Sequence, residues 1–284
     1  MNKDSRYEIL LSALPYIQQW ANKTVVVKYG GHAMQSEKLC MSLMRDLVLL
    51  NSVGIKVVLV HGGGPQIDEL LKLYGKKSKF INGLRYTDEE TMQVVKMALA
   101  GDINKNLVSA IEKQGGEAVG LCGIDGKILI AEKIEEPDLG FVGKIKKVNC
   151  DFINLLLDNS YIPVISTIAV DEQMNAYNVN ADYAATRIAS ELHAEKFILM
   201  TDIEGIRKDV DDPSTLISKI DISDLPKLKE EGVISGGMIP KVDSCAAAIR
   251  QGVNSVHILN GTTEHSILIE LFSKEGIGTM FQKI

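Results

Sequence analysis

Long apolar runs are missing from this chain of 284 residues. None approaches the ~20 residues of a bilayer-spanning helix, and the N-terminus has no signal-like apolar core, so a soluble cytoplasmic protein with no membrane role is expected. Cysteine is scarce: Cys40, Cys122, Cys150 and Cys245 are scattered with no C-x-x-C pair, which argues against a zinc site or a disulfide framework and leaves reduced thiols. The five histidines are dispersed too, so no metal site is expected from them. Positive charge is not in excess, and a net charge of −6 argues against nucleic acid as a partner, although a local basic patch could still line a cleft. Aromatics make up only 5% of residues. Three familiar glycine signatures are also absent: the Walker loop, the Gly-x-Gly-x-x-Gly dinucleotide fingerprint and the Gly-x-Ser-x-Gly nucleophile elbow.

What is present is a pair of glycine-rich strand ends. Val25-Val26-Val27-Lys28-Tyr29-Gly30-Gly31 and Val57-Val58-Leu59-Val60-His61-Gly62-Gly63-Gly64-Pro65 are β-branched runs that stop on consecutive glycines. Backbone N–H groups there can turn toward a ligand without a Cβ in the way, and the second run leads into a helix whose first amides favour an anion. Lys28 sits in an apolar strand, where an ammonium group is costly unless it meets negative charge. Together these features read as a phosphate site.

The rest of the chain alternates helical stripes with short Val/Ile/Leu strands, an α/β pattern. Arg6 to Trp20 reads as an amphipathic helix interrupted near Pro15, which could pack on its own domain or dock onto another subunit. A helical stripe from Leu39 to Leu50 joins the two glycine strands as a right-handed parallel crossover, which brings both loops to the ligand-binding carboxyl edge of one sheet. Thr87-Asp88-Glu89-Glu90 reads as a capping box for a helix through about Leu99, with a second helix from Ile103 to Gln114. Ala118 to Cys122, Lys127 to Ala131 and Lys144 to Val148 read as strands of a hairpin-rich insertion, either a flap over the substrate or an extension of the sheet. Further strands are expected at 162–166, 197–201 and 255–259, and helices at 152–157, 180–192, 225–230, 238–250 and 265–272. A lobe boundary falls near residues 170–178, which gives an N-terminal extension at 1–22 and lobes at 23–174 and 175–284.

Other residues gain meaning in company. Arg85, in Asn82-Gly83-Leu84-Arg85, suits bidentate capture of a carboxylate. Asn180 reads as a helix cap, which leaves Asn178 free to reach a ligand and Asp182 to orient cations. Lys241, after Ser235-Gly236-Gly237, opposes the macrodipole of the helix it begins unless it faces an anion. Thr201-Asp202-Ile203-Glu204-Gly205 ends a strand at a position suited to nucleotide contacts.

In order along the chain, Lys28-Tyr29-Gly30-Gly31, His61-Gly62-Gly63-Gly64-Pro65, Asn82-Gly83-Leu84-Arg85, Asn178-Val179-Asn180-Ala181-Asp182 and Gly237-Met238-Ile239-Pro240-Lys241 resemble the acetylglutamate kinases of the amino acid kinase family, from about residue 22 to the C-terminus. The resemblance implies a three-layer αβα sandwich with a mainly parallel open central sheet in two lobes, and phosphorylation of N-acetyl-L-glutamate by ATP in arginine biosynthesis. It further implies that Lys28 and Lys241 stabilise the moving phosphoryl group and that Asp182 holds both ammonium groups. Gly63, Gly64, Arg85 and Asn178 would bind acetylglutamate. Gly30, Gly31, Asp202, Gly205, Ile234, Ser235 and Gly236 would bind ATP, with Mg²⁺ carried by the nucleotide. Arginine-inhibited members have a similar N-terminal helix and tail, which implies a hexamer built as a trimer of dimers, with L-arginine near Lys196, His265 and either Glu270 or Glu275. A kinase of another small carboxylate or of carbamate, and a non-catalytic sensor on the same fold, are the alternatives.

Overall fold

A computed structural model describes residues 3–31, 34, 36–274 and 276–283; His32 and Glu275 lie outside the described residues. In chain order the elements are α1 (Lys3–Trp20), β1 (Thr24–Tyr29), α2 (Glu37–Ser52), β2 (Lys56–His61), α3 (Gly64–Leu73), β3 (Phe80–Ile81), β4 (Leu84–Arg85), α4 (Glu89–Lys96), a π-helical segment (Met97–Ile103), α5 (Asn104–Glu112) and β5 (Ala118–Cys122). Then come β6 (Leu129–Lys133), β7 (Gly143–Val148), α6 (Asp151–Asp158), β8 (Ile162–Ser166), β9 (Ile168–Val170), β10 (Ala176–Asn178), α7 (Ala181–Glu191), β11 (Lys196–Thr201), β12 (Lys219–Asp221), α8 (Leu225–Glu230), α9 (Met238–Arg250), β13 (Ser255–Asn260), α10 (Ser266–Phe272) and β14 (Thr279–Gln282). No described helix is long and apolar enough to cross a membrane.

Eight strands form one open sheet in the order β12-β14-β13-β11-β1-β2-β8-β5. It is parallel from β13 to β5 and turns antiparallel where β14 meets β13. Alternation along β1 explains the three layers: Val26 packs into one buried cluster with α6, α7, α8 and α9, while Val25 and Val27 pack into another with α2, α3, α4, α5 and α10. This is the expected αβα sandwich. β1 and β2 pair in parallel with Tyr29 opposite His61, so the two glycine loops leave neighbouring strands at the same edge. β1 also pairs with β11 on its other side, and the chain order reverses there, which opens a crevice.

Four readings need correction. Helix α1 runs unbroken through Pro15; residues Leu11 and Pro15 are exposed, so the carbonyl that Pro15 cannot satisfy meets water, while the Trp20 indole donates to Leu271 O at 3.1 Å and Tyr16 packs edge-on against Phe272. The cap of α4 is Asp88, whose carboxylate accepts from the Thr91 amide; Thr87 is buried and donates to Arg85 O. The two helices expected around residue 100 are one helical run from Glu89 to Glu112, joined by the π segment. Ala118–Cys122 lies outside the hairpin: it is the edge strand of the main sheet, parallel to β8, which is the sheet extension expected as one of the two readings, and only β6 and β7 form the hairpin. They belong to a separate four-stranded sheet in the order β10-β9-β6-β7.

Candidate active site

Lys28 is the penultimate residue of β1, and its Nζ lies 2.8 Å from Asp182 Oδ1 at the start of α7. Both side chains are partly buried, so the pair is shielded from water more than a surface ion pair. Asn180 caps α7 as expected, accepting from the Tyr183 amide at 3.0 Å, and this sets where Asp182 emerges. Gly30 leaves room for the folded lysine, since a Cβ there would stand 3.0 Å from Lys28 Nζ. The chain then turns through Gly31 at φ +72°.

In the second loop all three glycine carbonyls are held by protein donors. Gly62 O accepts from His61 Nδ1 at 2.9 Å, Gly63 O from the Ile67 amide at 2.9 Å, and Gly64 O from Arg85 Nη2 at 3.2 Å. In a trans peptide the C=O and the next N–H point opposite ways. Anchoring the oxygens of Gly62 and Gly63 therefore aims the N–H groups of Gly63 and Gly64 away from their anchors, and the two glycines line a cavity of about 200 Å³. No protein acceptor takes either N–H among the described residues.

The same cavity is lined by Arg85 and Asn178. Arg85 has a side chain only 6% exposed. Its Nη1 lies 2.5 Å from Asp68 Oδ1 and also donates to Ser78, and its guanidinium stacks on Phe80. Burial pushes the Asp68 carboxyl upward, but hydrogen bonds from Arg85 and Ser78 outweigh it and hold the group below its ordinary value. The planar fork is thus oriented before any ligand arrives. Asn178 Nδ2 donates to Thr87 Oγ1 at 3.2 Å. Asp68, Ser78 and Thr87 escaped the sequence reading because common polar residues on separate elements carry no local signal.

Across the crevice, Lys241 stands in the first turn of α9, with Nζ donating to Thr201 Oγ1 at 2.8 Å and lying 3.6 Å from Asp202 Oδ1. A second cavity of about 200 Å³ is lined by Lys28, Gly30, Gly31, Asp182, Asp202 and Lys241 among others, so the two lysines share one space. Asp182 lines it with both, but its direct ion pair is with Lys28, while Lys241 takes Thr201 and Asp202. A third cavity of about 360 Å³ adjoins it, lined by the run Asp202 to Arg207 with Val233, Ser235, Met238 and Asn260. Gly205 belongs to this wall. Ile234 is instead buried in the apolar core, and Gly236 shapes the loop at φ +53°.

Lys196 and His265 fall in different environments. Lys196 is buried at the start of β11, 4.7 Å over the Trp20 ring. Burial lowers its pKa to about 8, against the pull of Glu270 and Glu195. Glu270 lies 2.8 Å from His257 Nδ1. His265 sits before the first residue of α10 in a left-handed conformation, with Nδ1 2.6 Å from buried Asp46. The structure therefore groups Lys196 with Glu270, His257 and Trp20, and puts His265 at the other end of α10.

Residues 23–260 match the model of the amino acid kinase family. The acetylglutamate kinase of Clostridium beijerinckii is 54% identical over 282 residues, covering 99% of both chains. Among solved structures, N-acetylglutamate synthase from Neisseria gonorrhoeae complexed with coenzyme A and N-acetyl-glutamate superposes with a TM-score of 0.85 at 27% identity, covering 98% of this chain and 64% of that longer one. The same synthase complexed with coenzyme A and L-arginine gives a TM-score of 0.83 at 26% identity, covering 98% of this chain and 66% of that one.

Proposed function

We infer that this chain, which belongs to the amino acid kinase family as one of its acetylglutamate kinases, transfers in its crevice the γ-phosphoryl group of ATP to the side-chain carboxylate of N-acetyl-L-glutamate. A carboxylate oxygen forms the new O–P bond as the bond from phosphorus to the β–γ bridging oxygen breaks, and the electron pair leaves on ADP. The attacking group is already ionised at neutral pH, so no general base is needed. The difficulty lies in bringing anions together, and the remedy is positive charge and fixed N–H dipoles where phosphoryl charge develops.

In this reading Lys28, Lys241 and the N–H groups of Gly63 and Gly64 meet the transferring group, and Asp182 keeps the Lys28 ammonium in place. Gly63, Gly64, Arg85 and Asn178 bind acetylglutamate, in the lobe of residues 23–174, the two glycines where its side-chain carboxylate meets the phosphoryl group. Gly30, Gly31, Asp202, Gly205 and Ser235 lie along ATP, whose base side is taken by the lobe of residues 175–284. Among the described residues no three His, Cys, Asp or Glu side chains gather as a cation cage, so the reading assigns Mg²⁺ to the nucleotide's own phosphates, where it offsets their charge. The observation that carries the reading is the cavity shared by Lys28 and Lys241. Hydroxylamine trapping tests it, because an acyl phosphate product yields a hydroxamate in proportion to the ADP released. ADP release dependent on N-acetylglutamate but without hydroxamate would overturn the carboxylate as acceptor.

We further propose feedback inhibition by L-arginine, bound near α1 and α10 where Lys196, Glu270 and His257 meet Trp20. The arginine complex of the gonococcal synthase supports this reading. Exposed Tyr7, Leu11 and Leu14 on α1 support assembly through that helix into a hexamer, a trimer of dimers. Unchanged activity in millimolar arginine, or a dimer by light scattering, would remove the respective proposal.

A further inference from the structure

The glycine loop after β2 is braced from behind by side chains that stay out of the cavities. His61 is fully buried. Because its Nδ1 faces the Gly62 carbonyl, Nδ1 carries the hydrogen and Nε2 is the acceptor, and Asn104 Nδ2 donates to it at 3.1 Å. Burial lowers the His61 pKa to about 4, which keeps the ring neutral. Asn104 is itself fixed: the two hydrogens of its Nδ2 are shared among His61 Nε2, Leu121 O at 3.1 Å and Val164 O at 2.9 Å, and Lys105 Nζ donates to its Oδ1 at 3.1 Å.

Two glycines make room for this brace. A Cβ on Gly120 would stand 2.1 Å from Asn104 Oδ1, and a Cβ on Gly63 would stand 2.1 Å from Ile103 Cδ1. The π segment ends immediately before Asn104. Such a wide turn inserts an extra residue and rotates the helix beyond it, here bringing the Asn104 amide to the end of β2 and to the carbonyls of Leu121 in β5 and Val164 in β8.

From this arrangement we propose that Asn104 and His61 are positioning residues for phosphoryl transfer, acting through the Gly62–Gly63 peptide. Asn104 fixes the ring, the ring holds Gly62 O, and the same planar peptide then aims the Gly63 N–H at the transferring group. The inference rests on the kinase reading of the crevice. It assigns a role to a histidine that meets neither substrate and to a residue from a helix outside the crevice.

The test uses two substitutions that each keep half of the brace. In His61→Asn the new amide nitrogen stands near the place of Nδ1 and still donates to Gly62 O; in His61→Gln the amide oxygen stands near the place of Nε2 and accepts from Asn104, but Gly62 O loses its donor. The expected result is that His61→Asn, which forfeits only the Asn104 contact, loses about 10-fold in kcat, whereas His61→Gln, which forfeits the donor to Gly62 O, loses about 100-fold, both with unchanged KM for ATP. Equal losses, or unaltered kcat in both, overturn the proposal, because a purely structural histidine would not separate them. If neither variant folds, Gly120→Ala decides, since it presses on the Asn104 amide from outside the cavities. A fall of about tenfold or more in kcat at constant KM for ATP supports the brace, and unchanged kcat overturns it. Wild-type protein that releases no ADP with N-acetylglutamate would instead sink the kinase reading, independently of these variants.

Discussion

Replacing Lys28 by alanine is the most informative perturbation. It removes a cation whose Nζ lies 2.8 Å from Asp182 and leaves that carboxylate facing two incoming anions. At an effective dielectric near 20, a unit charge about 4 Å from the developing phosphoryl charge is worth roughly 4 kcal/mol, which corresponds to about a thousandfold in rate. The stranded carboxylate adds repulsion of the same sign. The assay is steady-state ADP release with N-acetylglutamate and ATP each varied, alongside thermal unfolding. We expect kcat to fall by about a thousandfold with little change in the unfolding midpoint, because the lysine is at the rim of the core and its loss opens no buried cavity. Turnover within about tenfold of wild type in folded protein would refute the electrostatic argument.

Other substitutions give equally concrete expectations. Arg85→Lys should raise KM for acetylglutamate by about 10- to 100-fold and leave KM for ATP unchanged, since a point charge cannot hold both Asp68 and a bound carboxylate in the fork geometry; an effect confined to ATP would contradict the assignment. His61 has a folded pKa of about 4 against about 6.5 unfolded. The unfolded chain therefore binds more protons in that window, and stability present in full above pH 6.5 is lost as pH falls toward 4, by up to about 3 kcal/mol. Urea titrations of His61→Asn should show a flatter acid limb than wild type, and parallel limbs would argue against a buried neutral ring. Gly205→Ala should destabilise by about 1–3 kcal/mol in the same titrations, because φ is +147° and the new Cβ would meet Thr279 Oγ1 at 2.5 Å; an unchanged denaturation midpoint would count against this.

The sequence exposed what was locally anomalous. An ammonium inside Val-Val-Val-Lys, or at the positive end of a helix, marks itself by its cost, and the β-branched runs ending on glycines located β1 and β2 with their shared edge. That Ala118–Cys122 could extend the sheet was legible, but its parallel pairing was not, since its partner β8 lies some forty residues on and pairing leaves no trace in either strand alone. β3, β4 and β12 are two or three residues long and offer no period to read. The π segment was hidden because its register shift changes no residue type. Thr201, Thr87 and Asn104 are neutral and commonplace. Only the fold brings them to Lys241, Asn178 and His61.

Two lysines from opposite sides of the crevice are expected to converge on one migrating phosphoryl group. A crystal structure with ADP, aluminium fluoride and N-acetylglutamate tests it most directly, because the planar fluoride occupies the place of that group. Both Lys28 Nζ and Lys241 Nζ should stand about 3 Å from its fluorine atoms, with the Gly63 and Gly64 N–H groups on the same ion. A fluoride contacted by one lysine, with the other still held by its carboxylate beyond hydrogen-bond reach, would contradict it.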